Sequence, residues 1–204
     1  MRIVAGKFRG KNLEKSDHLK SLRPTTDKNR EALFNILSSA KFIKEIGFKI
    51  NDAEVLDVCC GSGAVAFESL SRGAKSVFLI DNFKPHLDLA KKNAELLKVE
   101  NEVEVFCADV KNLPENKKFF DLIFIDPPYA EDYSAIIKNL LEKNWIQKKS
   151  LVVVEFKTSE AALVIGNAVG ADPRVGQCEQ TKSLLRILDS RHYGKTSFTF
   201  LEYL

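Results

Sequence analysis

Of the four cysteines in this 204-residue chain, Cys59, Cys60, Cys107 and Cys178, no two form a C-x-x-C pair, and the adjacent two cannot comfortably bridge each other. This argues for buried free thiols over disulfides or zinc ligands, which fits a reducing compartment. Histidine is equally sparse: His18, His86 and His192 are scattered, so no metal site is expected. No apolar run approaches the roughly 20 residues that a bilayer crossing needs. The N-terminal MRIVAGKFRGK lacks the apolar stretch of a signal peptide. A cytoplasmic protein without a membrane partner is the expectation. Sequence repeats and low-complexity tracts are missing too.

What is present suits a globular protein, at 45% hydrophobic and 29% charged residues. The length allows one sizeable core, as one domain or a domain with an extension. Net charge is only +3, but residues 1–30 hold nine bases against three acids, leaving the remainder slightly acidic. A basic arm on an acidic body is the footprint of a polyanion binder; a solvated basic face without a partner is the alternative.

Along the chain, RIVAGKFRGKNL (residues 2–13) reads as a short hairpin broken by Gly6 and Gly10. In LRPTTDKNREALFNIL, Pro24 stops the extended segment and Thr26 or Asp27 is placed to cap a helix. Leu33, Ile36, Leu37 and Ala40 then recur at helical spacing. These first 45 residues are taken as a basic hairpin-and-helix extension packed on a core of residues 46–204. From residue 54 short apolar runs alternate with helical segments. Strands are expected at 54–60, 76–81, 103–109, 120–125 and 151–156, with helices at about 64–72, 84–98 and 133–145. That alternation means a doubly wound α/β fold, a mostly parallel sheet covered on both sides. The tail departs from it: SLLRILDSRHYGKTSFTFLEYL reads as an antiparallel hairpin turning at Tyr193-Gly194-Lys195. Residues 157–183 are the least legible.

In such a sheet ligands bind beyond the carboxyl ends of the strands, where strand order reverses. The first strand runs into DVCCGSGAVAFES, in which Gly61 and Gly63 allow a tight turn with close backbone approach. As G-x-G-x-x-A it points to a nucleoside-type cofactor without saying which. Asp81, ending the second strand, is placed for ribose hydroxyls, and Asp109 for an adenine amine. The fourth strand ends in Asp126-Pro127-Pro128-Tyr129. Proline after Asp126 restricts it to extended backbone and both prolines lock their own φ, so the loop is stiff. The Asp126 carboxylate and Pro127 carbonyl become two fixed acceptors, and Tyr129 supplies a flat ring. Two acceptors and a ring suit a planar base with an exocyclic amine, holding its protons aside and aiming its lone pair at an electrophile.

Together these residues resemble a class I S-adenosylmethionine-dependent methyltransferase of the amino-group type. Over nearly 200 residues the chain resembles the RsmD-like family, which methylates a guanine N2 of bacterial 16S rRNA. The matching stretches are RIVAGKFRGKNL, LRPTTDKNREALFNIL, DVCCGSGAVAFESLSRGA, DLIFIDPPY and RHYGKTSFTFLEY. The resemblance implies a seven-stranded Rossmann-like sheet with a terminal antiparallel hairpin. It implies cofactor contacts at Gly61, Gly63, Asp81 and Asp109, with Asp57, Asn82 and Val110 as further candidates beside them, and the target base at Asp126, Pro127 and Tyr129. Cys59-Cys60 stands where an aromatic-alanine pair is expected; both are small and apolar, so cofactor binding should survive. Residues 157–183 match poorly. The implied partner is 16S rRNA, as the small subunit or an assembly intermediate, with Arg2, Lys7, Arg9 and Lys11 on phosphates and Arg23 and Thr25 at the active-site rim. A monomer without a metal is expected.

Four rival readings share these features. Adenine N6 in DNA or RNA offers an equivalent amine. Glutamine-N5 enzymes usually carry asparagine where this chain has Asp126. A nicotinamide-dependent oxidoreductase would use the glycine turn and Asp81 but has no need of Asp-Pro-Pro-Tyr. A non-catalytic RNA-binding assembly factor would bind RNA without transferring a methyl group.

Overall fold

The computed structural model describes residues 1–15, 25–128, 132–160 and 184–204. Seven strands are described: β1 (Glu54–Val58), β2 (Ser76–Asp81), β3 (Val103–Cys107), β4 (Leu122–Ile125), β5 (Leu151–Lys157), β6 (Leu185–Tyr193) and β7 (Thr196–Tyr203). They form one sheet in the order β3-β2-β1-β4-β5-β7-β6. The first five are parallel, β7 runs antiparallel to β5, and β6 and β7 are the expected closing hairpin. Leu122–Ile125 is buried at every position because β4 sits mid-sheet with cover on both faces. The expected doubly wound, seven-stranded α/β fold is the observed one.

Helices α1 (Asp27–Ser39), α2 (Lys41–Glu45), α3 (Ala64–Ser71), α4 (Lys84–Leu97) and α5 (Tyr133–Glu142) supply the cover. One core layer joins Val55, Leu79 and Phe124 of the sheet to Phe67 of α3, Leu87 of α4 and Leu33 of α1. On the opposite face, Ile123, Ile125 and Val154 meet Ile136 and Leu140 of α5. Thr26 caps α1, accepting the Asn29 N–H through its hydroxyl. Leu33, Phe34 and Leu37 are almost fully buried, each worth roughly 1.5–3 kcal/mol, so α1 belongs to the same core as the sheet. None of the described helices is long and apolar enough to cross a membrane.

Several elements are shorter than their sequence patterns suggest. β1 stops at Val58 rather than 60 because Cys59 takes a left-handed φ of 61°. β3 ends at Cys107, two residues before Asp109. β4 begins at Leu122 rather than Phe120, and the preceding Asp121 bonds to Glu54 through both its N–H and its carboxylate, which accepts the Glu54 N–H at 2.8 Å. Lys98 adopts a left-handed φ of 58° and ends α4, and α5 stops at Glu142. The N-terminal hairpin reduces to one bridge, Arg2 to Asn12, because residues 5–10 are spent on turns. Of the cysteines expected to be buried, Cys60 is, Cys59 is half-buried and Cys107 is exposed; Cys178 lies outside the described residues.

Candidate active site

β1 pairs with β2 on one side and β4 on the other, so strand order reverses beside its carboxyl end. The glycine turn opens there. Gly63 has a φ of 73°, and a Cβ on it would come within 2.8 Å of the Phe67 ring, so this position must be glycine for α3 to start where it does. The neighbouring Gly61 N–H donates to Asp81 Oδ2 at 2.9 Å, tying the turn to the end of β2.

Asp81 is a hub. Its carboxylate also accepts the Phe83 N–H at 2.9 Å, and His86 donates through Nδ1 at 3.1 Å. A carboxylate offers about four lone-pair sites, so one acceptor position remains after these three bonds. Asn82 is exposed just beyond it, while Val110 is buried against the sheet core. Asp109 is exposed and serves its own turn, accepting the Lys111 N–H at 2.9 Å and Nδ2 of Asn112 at 3.1 Å. Asp57 is buried below the glycine turn and accepts the Ala66 N–H at 3.3 Å.

Beyond β4, Pro127 is buried and Asp126 is partly so. Parallel pairing of Ile125 with Val154 carries Asp126 alongside Glu155 of β5, on the sheet face that also bears Asp57 and Asp81. Burial first, then the charges of Glu155 and Asp57, pushes the Asp126 carboxyl well above the usual carboxylate range. Burial likewise raises Glu155 to about 7, against the opposing pull of a Thr25 hydrogen bond and the Arg30 charge. The Asp57 carboxyl is raised by burial, with Asp81 and Glu155 adding to it. Thr25 is itself buried, and its hydroxyl donates to Glu155 Oε2 at 2.7 Å, so it faces the acids rather than solvent. Tyr129 and Arg23 lie outside the described residues.

These shifts have a consequence for stability. Glu155 holds its proton to a higher pH folded, at about 7, than unfolded, near 4.5. Folding is therefore favoured by the full amount below pH 4.5, and that contribution is lost as pH rises through 7. The difference corresponds to on the order of 3 kcal/mol. Chemical denaturation of Glu155→Gln between pH 5 and 8.5 should show a shallower decline in stability than the parent, with the variant the more stable of the two at pH 8.5. Parallel curves would refute the assignment.

The basic arm is anchored rather than loose. Glu68 of α3 is fully buried, pairs with Arg72 at 2.8 Å and accepts the Val4 and Ala5 N–H groups at 2.7 and 3.0 Å. Farther along, the Lys7 N–H donates to the Ser71 carbonyl at 2.7 Å and the Phe8 N–H to Ser71 Oγ at 3.0 Å. The arm thus follows α3, which starts at the crevice and recedes from it by roughly 10 Å. Arg2, Lys7, Arg9 and Lys11 are all exposed.

A family model described as Conserved hypothetical protein 95 matches residues 1–202. The chain belongs to this family. Within it, the expected kinship to RsmD-like proteins holds. Ribosomal RNA small subunit methyltransferase D of Haemophilus influenzae is 35% identical over 160 residues, covering 76% of this chain and 78% of that protein. The namesake of Escherichia coli K12 is 35% identical over 156 residues, covering 76% and 74%. Among solved structures, the Haemophilus influenzae protein HI0767 superposes with a TM-score of 0.68 at 28% identity, over 100% of this chain and 98% of that one. The Escherichia coli protein yhhF gives 0.74 at 23% identity, over 100% and 97%, a likeness of fold.

Four residues of this family member escape a reading for motifs. Glu155 carries the plainest signal, as an acid in the apolar strand LVVVEF, where a strand buried on both faces tolerates no charge without a reason. Arg30 falls on the apolar face of α1, three residues before Leu33, and is fully buried. Glu68 and His86 act on backbone groups and on Asp81 brought close only by the fold.

Proposed function

We propose that the protein transfers a methyl group from S-adenosylmethionine to the exocyclic N2 amine of a guanine in 16S rRNA of the small ribosomal subunit. It is an rRNA methyltransferase by family, supported by relatives about 35% identical over three quarters of the chain. The observation that carries the amino-group chemistry is Asp126-Pro127, two constrained acceptors at the strand-order reversal beside the glycine turn.

S-adenosylmethionine fits the residues at the crevice: the Gly61–Gly63 turn sits at the strand-order reversal with its Gly61 N–H tied to Asp81, and Asp81 retains an acceptor position for a ribose hydroxyl. When bound, the cofactor supplies a methyl group already activated by a sulfonium. The chain's residues align and dehydrate. We assign Gly61, Gly63, Asp81 and Asn82 to the cofactor's near side, Asp109 and Val110 to its base, and Asp57 to support of the turn. Asp126 and the Pro127 carbonyl each accept one N–H of the guanine amine, with Tyr129 beneath the ring. The amine then attacks the methyl carbon, forming N–C as C–S breaks, and its surplus proton leaves to Asp126 or water. No metal takes part in this scheme, and a monomer acting in the cytoplasm satisfies it.

A guanine N2 is hidden in a helix, so the target lies in a loop or is flipped out while residues 1–45 hold flanking phosphates. Arg2 lies at the base of the hairpin with Lys11, whose carbonyl accepts the Ile3 N–H at 2.9 Å, while Lys7 and Arg9 lie toward the far end of α3 and suit more distant phosphates. Arg23 is assigned to the rim. Reversing charge at Arg9 and Lys11 should weaken rRNA binding about tenfold or more at moderate salt and flatten its salt dependence while sparing cofactor affinity. Unchanged rRNA affinity by filter binding would count against the assignment.

Labelled S-adenosylmethionine offered with unmodified 16S rRNA, small subunits and double-stranded DNA tests the proposal directly. Incorporation into rRNA or subunits supports it; incorporation into DNA alone overturns it.

A further inference from the structure

Glu155 has a place in no motif, yet the sheet register sets it directly beside Asp126, across the β4–β5 pair. It is buried, and Thr25 donates to it at 2.7 Å. Thr25 is in turn held by Arg30, whose Nη1 donates to the Thr25 carbonyl at 2.7 Å. The same guanidinium donates through Nη2 to the Arg2 carbonyl at 2.7 Å and to Asp27 Oδ1 at 2.8 Å. Arg30 is wholly buried. A fully buried arginine spent on two backbone carbonyls from separate segments is a clamp, and what it fixes is the position of the hydroxyl that meets Glu155.

We propose that Glu155 is a positioning residue for Asp126, and that Arg30 and Thr25 orient it, joining the base of the N-terminal arm to the acceptor of the target amine in one hydrogen-bonded unit. The inference rests on the role given to Asp126 above.

Glu155 and Asp126 compete for one proton. Two carboxyls side by side in a buried site do not both ionise readily. The Thr25 hydroxyl donates to Glu155 and the Arg30 charge lies close by, so both favour the ionised form of Glu155. In the singly protonated pair the proton therefore resides on Asp126, in keeping with the strongly raised value of that carboxyl. The surrounding groups reinforce this: Asp57 of β1 adds negative charge, Asp81 of β2 raises Asp57, and Asp27 partly offsets Arg30. The two N–H groups of an incoming amine favour the anion, so Asp126 ionises as substrate binds. Glu155 thereby sets the pH at which the acceptor becomes available, and the arm reaches that setting through Thr25.

The test is the pH dependence of kcat/KM for methyl transfer to 16S rRNA, with Asp126→Ala, Glu155→Gln and Thr25→Val compared with the parent. Glu155→Gln removes the competing charge and should move the midpoint of the acid limb down by about one pH unit or more. Thr25→Val lets Glu155 take the proton and should move it in the same direction by a smaller amount. Glu155→Asp, which keeps the charge, should restore the limb toward the parental midpoint. An unmoved limb in both Glu155→Gln and Thr25→Val overturns the inference while Asp126→Ala remains inactive. So does loss of activity at every pH in a folded Glu155→Gln protein that still binds S-adenosylhomocysteine. Full activity in Asp126→Ala overturns the underlying functional reading instead.

Discussion

Asp126→Ala should lower kcat for methyl transfer by roughly 10²–10³-fold and leave S-adenosylmethionine affinity within a few-fold of the parent. The magnitude is that of removing one preorganised hydrogen-bonding partner from a reacting group, here the acceptor that holds an amine proton aside. The separation of effects follows from position. Asp126 follows β4 directly, whereas the residues assigned to the cofactor lie on the turn after β1, at the end of β2 and in the turn beyond β3. Asp126→Asn is the finer probe, since an amide keeps one acceptor oxygen but cannot ionise; it should retain part of the activity and lose the acid limb. Titration of cofactor binding alongside single-turnover transfer separates the two steps. Equal loss of both in Asp126→Ala would mean that this residue holds the cofactor and that the amine is oriented by something else.

Gly6→Ala should have the largest effect on the arm. A Cβ at Gly6 would stand 1.8 Å from the Ser71 carbonyl oxygen, and the residue has a φ of 83°. Ser71 is the last residue of α3 and its oxygen is backbone, so neither can yield cheaply. The arm must lift instead, breaking the Lys7 and Phe8 N–H bonds to Ser71. Strain and two lost hydrogen bonds together cost about 2–4 kcal/mol. Because Lys7 and Arg9 move with the tip, rRNA affinity should fall at least about tenfold at moderate salt, while cofactor affinity stays near the parental value. Gly10→Ala is the matched control: its φ is 81°, but a Cβ there would meet nothing within 4 Å. It should cost less in stability and little in rRNA affinity. Similar losses in both variants would indicate that the anchored shape of the arm is irrelevant.

Parts of the fold and of the site are written openly in the chain. FDLIFI and LVVVEF announce buried parallel strands because neither face meets water, and the turns after β1 and β4 draw notice because glycine and proline are required there for backbone reasons. The closing hairpin is legible from Tyr193-Gly194-Lys195 between two β-rich runs. Other parts depend on neighbours brought from afar. RIVAGKFRGKNL reads as a hairpin, but its Val4, Ala5, Lys7 and Phe8 N–H groups are satisfied by Glu68 and Ser71 on a helix some 60 residues later, so only one bridge of the ladder forms. Asp81 and Asp109 both look like acids at strand ends. In the fold, Asp81 ties down the glycine turn, while Asp109 serves a turn two residues beyond its strand. Glu155 stands beside Asp126 only through the β4–β5 register, which no local pattern encodes.

The central claim is that a guanine amine is the acceptor, and nucleoside mapping tests it most directly. Unmodified 16S rRNA and small subunits would be treated with the protein and S-adenosylmethionine, digested to nucleosides and resolved by mass spectrometry, with Asp126→Ala in parallel. N2-methylguanosine at one position, absent with the variant, is the predicted result. N6-methyladenosine, or no methylated nucleoside from a protein that binds the cofactor, would contradict it.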